Sequence, residues 1–92
     1  MSDASQHLES LIGRIVVIDV EALYVYAGTL VRLDTAHLVL DDADVHDLRD
    51  AATTRELYVL ETRMHGVRAN RKQVIIRREQ VISISALDDV IE

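Results

Sequence analysis

The residues whose types and spacing could bind a metal ion lie near the middle of the chain. They are Asp41, Asp42, Asp44, His46 and Asp47. Carboxylate oxygens are the ligands that hard divalent cations prefer, so one interpretation of this cluster is a cation site. The acids also alternate along an extended stretch, which places them on a solvated face of the protein. We favour the second interpretation and expect no metal.

Candidates for catalysis lack the partners that catalysis needs. The four histidines show neither metal-ligand spacing nor an HExxH pattern; they are His7, His37, His46 and His65. Ser83 and Ser85 have no base beside them and no nucleophile-elbow glycines. The chain has no Cys, which excludes thiolate chemistry and disulfides. We therefore expect no enzyme and no cofactor.

Charge is divided unevenly along the chain. The net charge is −6, with ten acidic and three basic residues in 1–50 and six acidic and seven basic residues in 51–92. A run without acids contains Arg63, Arg68, Arg71, Lys72, Arg77 and Arg78. This run predicts either a local basic surface on an acidic body or an ordinary solvated loop.

Size and composition predict one small, sheet-rich domain over residues 1–92. Apolar residues make up 49% of the chain, but only three are aromatic, so the core is expected to be aliphatic. No apolar run approaches the roughly 20 residues that cross a bilayer, and the N-terminus lacks a signal-peptide pattern. We expect a cytoplasmic protein that does not bind membranes.

A short helix is predicted over 3–12. Asp3 and Gln6 have the spacing of a capping box, and Gly13 follows as a helix-ending residue.

Three antiparallel strands are predicted next, because apolar residues recur there at every second position. They cover about 14–20, 24–33 and 37–44, and Gly28 marks a bend in the second.

The variable segment 45–73 interrupts the strand pattern. Thr53 and Glu56 have capping-box spacing, and the apolar residues that follow predict a helix over 54–65, its apolar face formed by Leu57, Leu60, Met64 and Val67. The competing interpretation is a strand through 57–60, since four adjacent apolar residues also suit a sheet. Two short strands, 74–77 and 81–85, and an acidic tail, 86–92, complete the chain.

Two stretches carry a resemblance to a known family. The pattern Tyr26-x-Gly28-x-Leu30-x-x-x-Asp34, followed by Leu38-x-Leu40-x-x-Ala43, resembles the first motif of the Sm and Sm-like (LSm) proteins, within 14–44. Residues 74–85 resemble the shorter second motif. The resemblance implies a mostly β fold, a small, strongly bent five-stranded antiparallel barrel with an N-terminal helix. Here the connection between the third and fourth strands is enlarged.

The resemblance also implies an RNA-base pocket. Asp34 and Arg77 match the family's pocket Asp and Arg, whereas His37 stands in place of an Asn and Arg78 in place of a Gly. An imidazole can hydrogen-bond or stack on a base but cannot reproduce a carboxamide's paired donor and acceptor. The alternative is structural, with Asp34 capping its own turn and Arg77 pairing with it.

Assembly is expected because a bent sheet of this size leaves edge strands to be paired or covered. The resemblance implies a homo-oligomeric ring of about six or seven subunits, closed by head-to-tail contacts. Alternatively, 45–73 covers an edge and keeps the protein monomeric or dimeric. The leading function is non-catalytic binding of single-stranded, U-rich RNA. The rival is a scaffold that has lost RNA binding and contacts protein partners through 53–72.

Overall fold

A computed structural model of the chain describes residues 3–49 and 53–92, with side chains from Gln6 onward. The elements in chain order are α1 (Asp3–Glu9), β1 (Ile15–Val20), β2 (Tyr24–Leu33), β3 (His37–Asp47), α2 (Arg55–His65), β4 (Arg71–Arg77), a 3-10 turn (Arg78–Gln80), β5 (Val81–Ala86) and a second 3-10 turn (Leu87–Asp89). The capping role predicted for Asp3 concerns a side chain outside the described ones. No helix in the described ranges is long and apolar enough to cross a membrane.

The five strands form one antiparallel sheet in the order β4-β3-β2-β1-β5. The mostly β architecture with an N-terminal helix confirms the predicted fold class. Strands β4 and β5 follow each other in the chain but lie at opposite edges of the sheet. Each therefore keeps one backbone edge without a partner strand among the described residues.

The bend of the sheet centres on Gly28. The pairing of β2 with β3 shifts register between Ala27 and Thr29, and again between Leu30 and Arg32. A Cβ atom at Gly28 would lie 3.0 Å from Ala43 Cα and 3.1 Å from Asp41 O, so the two strands cross too closely for a side chain. Glycine permits this approach, as the sequence predicted.

The concave side of the sheet holds an aliphatic core. Its buried members are Val16, Ile18, Val20, Leu30, Leu38, Leu40, Ala43 and Ile76, and Leu11 packs against them from the turn after α1. The alternation of Val16, Ile18 and Val20 along β1 was predicted from sequence.

A second, smaller core covers the opposite face of β1 and β2. Val17, Val25 and Ala27 pack there with Tyr58 of α2 and with Leu87 after β5. The long connection is therefore packed against the sheet. Helix α2 lies on the face of β1 and β2 opposite the main core and forms a third layer outside the core and the sheet.

Helix α2 settles the helix-or-strand question for 54–65. The predicted helix is confirmed, but its cap is one residue later than the capping-box pattern indicated. Thr54, not Thr53, is the N-cap, and its hydroxyl accepts a hydrogen bond from Leu57 N. Gly66 ends the helix at φ 88°, a conformation that favours glycine.

The predicted apolar face of α2 is wrong in part, because Leu60 and Val67 are half-buried, with Val67 against the smaller core, but Leu57 and Met64 are not on that face. Leu57 and Met64 are 46% and 59% exposed, whereas Tyr58 and Thr62 are buried. The Tyr58 ring is large enough to fill the space over β1 and β2. The buried Thr62 hydroxyl donates a hydrogen bond to Tyr58 O, so it is not left unpaired. These two residues therefore orient the helix; Val59 and Val67 pack against the same core, and Leu57 and Met64 face outward.

Other boundaries differ modestly from the predictions. The first helix ends at Glu9 rather than 12, because residues 10–13 form turns. The third strand continues to Asp47 by pairing with β2, and the fourth begins at Arg71, which pairs with Ala43 of β3. The variable connection is thus 48–70, not 45–73.

Candidate nucleic-acid interface

The loop between β2 and β3 is organised by Asp34. Its Oδ1 atom accepts hydrogen bonds from Ala36 N at 2.8 Å and from His37 N at 2.7 Å. The backbone also closes, since Asp34 N donates to His37 O at 3.0 Å. Asp34 thus forms an Asx-type turn that fixes where β3 begins.

Electrostatics at this loop favour an ionised carboxylate. The backbone N–H groups of Ala36 and His37 hold the pKa of Asp34 below its ordinary value. His37 Nδ1 lies 3.6 Å from Asp34 Oδ1, and the two side chains are 47% and 63% exposed. When the imidazole is protonated, the pair presents opposite charges to solvent.

The turn between β4 and β5 meets the same loop. His37 and Arg77 are paired across β3 and β4, and Arg78 N donates to Ala36 O at 2.8 Å. The Arg78 guanidinium also donates to Asp34 O. All four residues predicted for the pocket, Asp34, His37, Arg77 and Arg78, therefore lie together at one end of the sheet.

The structural alternative for these residues is half right. Asp34 does cap its own turn, but the cation that ties the two loops together is Arg78, through a carbonyl rather than the carboxylate. Within residues 3–49 and 53–92, the Arg77 guanidinium makes no hydrogen bond or ion pair and is exposed. The sequence predicted Arg78 only as an added charge in place of a glycine; its length lets it reach across to the neighbouring loop.

A second group of polar side chains lies between β3 and α2, and sequence reasoning did not find it. Tyr58 Oη donates to Asp44 Oδ2 at 2.7 Å, and the Tyr58 ring stacks on His46 with centroids 4.3 Å apart. Burial and the nearby Asp44 carboxylate raise the pKa of Tyr58. A cleft of about 400 Å³ opens beside these residues, with His65 and Arg68 also lining it.

The acidic residues of β3 are divided among separate hydrogen-bond partners. Asp44 accepts from Tyr58 and Asn70, Asp41 accepts from Gln73, and Asp47 accepts from Arg49. Nowhere in the described parts of the chain do three or more His, Cys, Asp or Glu side chains come together to hold a metal ion. Most of these carboxylates instead bind neighbouring side chains.

Comparison with solved structures identifies the fold. An Sm protein from Pyrococcus abyssi in complex with a uridine heptamer superposes with a TM-score of 0.64 at 17% identity, covering 92% of this chain and 99% of that one. An Sm-like protein from Archaeoglobus fulgidus matches with a TM-score of 0.64 at 16% identity, covering 94% and 96%. The P. aerophilum SmAP1 heptamer matches with a TM-score of 0.60 at 19% identity, covering 94% and 95%.

These likenesses span nearly the whole of each chain, so the protein has the Sm fold. The predicted resemblance is confirmed at the level of the fold. No protein-family model and no curated protein matches the sequence.

Proposed function

We propose that this protein is a non-catalytic RNA-binding subunit that works as a homo-oligomeric ring. Its base pocket is built from Asp34, His37, Arg77 and Arg78. The observation that carries the proposal is the meeting of the two loops, in which Arg78 bridges to Asp34 O and Arg77 keeps a free guanidinium. A fixed carboxylate turn beside an unpaired cation offers a base both hydrogen-bond acceptors and donors.

The known structures with this fold support the proposal. The P. abyssi Sm protein binds a uridine heptamer, and the P. aerophilum protein is a heptamer. We carry single-stranded, U-rich RNA and a ring over to this chain as parts of the proposal, together with a cytoplasmic location. His37 in place of a carboxamide gives the pocket stacking and one hydrogen bond, so we expect weaker discrimination among bases than a carboxamide would give.

Ring formation is supported by the two sheet edges. Ile75 on β4 and Ile82 on β5 are 61% and 67% exposed, although both belong to apolar strands. Edge strands with free backbone groups and exposed apolar side chains are templates for pairing with another copy. If β4 of one subunit pairs with β5 of the next, both edges and both isoleucines become covered, and repetition of that contact closes a ring.

The test of RNA binding is fluorescence anisotropy of a labelled oligouridine with the parent protein, Arg77→Ala and Arg14→Ala. Arg14→Ala is a matched control because it removes the same charge from an exposed residue before β1, three strands away from β4 in the sheet. We expect salt-sensitive binding that Arg77→Ala weakens by about tenfold or more and Arg14→Ala leaves nearly unchanged. Equal effects of the two substitutions would contradict the pocket, and no binding by folded parent would contradict the RNA function.

A second candidate function is a scaffold for protein partners, and one observation favours it. Leu57 and Met64 expose apolar side chains on the outer surface of α2, within the 53–72 segment. The charge of −6 per subunit also opposes the approach of a polyanion. Parent protein that forms rings but binds neither oligouridine nor mixed-sequence RNA would favour the scaffold.

A further inference from the structure

The basic run from Arg63 to Arg78 is divided by the fold into separate groups. Arg77 and Arg78 lie at the candidate base pocket, whereas Arg71 and Lys72 begin β4 at its other end. A strand advances about 3.3 Å per residue, so roughly 20 Å of β4 separates the two ends. Arg63 belongs to neither group, because it lies 3.9 Å from Glu92 at the end of the chain.

The backbone beside the second group is held rigidly by Asn70. Its side-chain amide donates to Asp44 Oδ1 and Val45 O and accepts from Val45 N, at distances of 3.0 to 3.1 Å. Its backbone N also donates to Ala43 O at 2.8 Å. Asn70 thereby holds the backbone just before β4 against β3. The cationic residues on either side of Asn70 are therefore attached to a fixed backbone.

The cations beside Asn70 keep their charges available. Arg68, Arg71 and Lys72 are all exposed. Arg71 donates to the neutral carbonyl of Asn70 at 3.1 Å, and no ion pair joins any of the three to a described carboxylate. The nearby carboxylates lie on β3: Asp44 accepts hydrogen bonds from Tyr58 and Asn70, Asp41 accepts from Gln73, and Asp42, opposite this part of β4, makes no ion pair with a described cation.

We infer that Arg68, Arg71 and Lys72 form a second RNA-contact surface, which binds phosphates rather than bases. The inference rests on the proposed RNA function and extends it. Three cations on a fastened backbone, without an aromatic ring among them, suit the sugar–phosphate backbone, which Lys and Arg recognise without regard to sequence. An RNA held at the base pocket reaches this surface only if it is long enough to span the roughly 20 Å between the two ends of β4.

The experiment compares two RNAs and four variants by anisotropy across a salt series. The RNAs are a uridine heptamer, which suits the base pocket, and a single strand of about 30 nucleotides, which extends past it. The variants are Arg68→Gln, Arg71→Gln, Lys72→Gln and the matched control Arg14→Gln. Arg14 is an exposed residue before β1, three strands away from β4 in the sheet.

The inference predicts that the long RNA binds about three- to tenfold more weakly to each of the three variants than to Arg14→Gln, with a salt slope lower by about 0.7 per lost phosphate contact. The heptamer should bind all four variants alike. Equal affinity of the long RNA for all four variants would overturn the inference and leave the base pocket intact, and an acidic protein partner would then be the remaining ligand for this surface.

The two proposals fail separately in this design. If Arg71→Gln weakens long-RNA binding but Arg77→Ala has no effect on either RNA, the phosphate surface stands and the base pocket falls. If the folded parent binds neither RNA, both proposals fall.

Discussion

Single side chains in this protein decide where neighbouring loops and layers meet. Asp34 closes its own turn, and Arg78 then reaches back to the same residue's carbonyl. Tyr58 plays the corresponding part for the third layer, since its ring is buried against the sheet and its hydroxyl binds Asp44. Each of these residues has a polar group whose hydrogen bonds join separate parts of the chain.

Replacing Tyr58 tests this combination through its dependence on pH. In the unfolded chain the hydroxyl ionises at its ordinary pKa of about 10, whereas the folded protein raises that pKa and keeps the proton to higher pH. The stability from this group is therefore fully present below about pH 10 and is lost as the pH rises further. Tyr58→Phe should cost about 1 kcal/mol near pH 8 and lose less stability than the parent above pH 10.

Urea unfolding of both proteins at about pH 8 and about pH 10.5, at one protein concentration, measures the two effects. The Phe variant keeps the ring, so packing is nearly unchanged and the comparison isolates the hydroxyl. Parallel losses of stability in the two proteins on raising the pH would contradict the raised pKa of Tyr58, and equal stability of the two near pH 8 would contradict the assigned role of the Tyr58–Asp44 hydrogen bond.

Secondary-structure elements were predictable where their periodicity is strong. The bounds of β2, Tyr24–Leu33, agree with the prediction because alternation, a flanking turn and the aspartate at its end all indicate the same limits. Helix α2 was predicted with a strand as the competing interpretation. The threonine and glycine at the two ends of the segment correctly indicated a helix. The cap position was one residue off because two adjacent threonines offer the same hydroxyl, and sequence alone does not distinguish them.

The face of α2 could be predicted only in part, for a different reason. Its apolar residues lie around most of the helix, and which of them are buried depends on the shape of the sheet surface formed by Val17, Val25 and Ala27. Strand extensions at 45–47 and 71–73 were missed because, apart from Val45, their residues are polar. They pair with β2 and β3 without an apolar alternation to reveal the strand.

The two threonines give a matched test of the helix cap. Thr54→Ala removes the hydroxyl that accepts from Leu57 N and should lower the free energy of unfolding by about 1 kcal/mol. Thr53→Ala should change it by less than about 0.5 kcal/mol, because its hydroxyl is not the cap. Urea unfolding monitored by circular dichroism measures both, and an equal or larger loss in Thr53→Ala would contradict the assigned cap.

At the scale of the whole molecule, helix α2 and the unpaired sheet edges determine which surfaces are available to a partner. Helix α2 covers the outer face of β1 and β2, so that face is closed to partners, while β4 and β5 stay open at opposite sides of the sheet. The sequence analysis predicted that a bent sheet of this size leaves edge strands to be paired or covered. The base pocket could be placed only through the resemblance, because its residues are far apart in the chain and none has a distinctive motif alone.

Native mass spectrometry with a uridine heptamer tests the central claim most directly, because it counts subunits and bound RNA together. The parent protein should appear as one ring of about six or seven subunits that carries RNA. Ile82→Asp, which places a charge on the exposed side of β5, should give smaller species, whereas the control Ile91→Asp, on the exposed tail, should keep the ring and its RNA. A monomeric parent, or a parental ring without RNA under conditions that preserve both, would contradict the account.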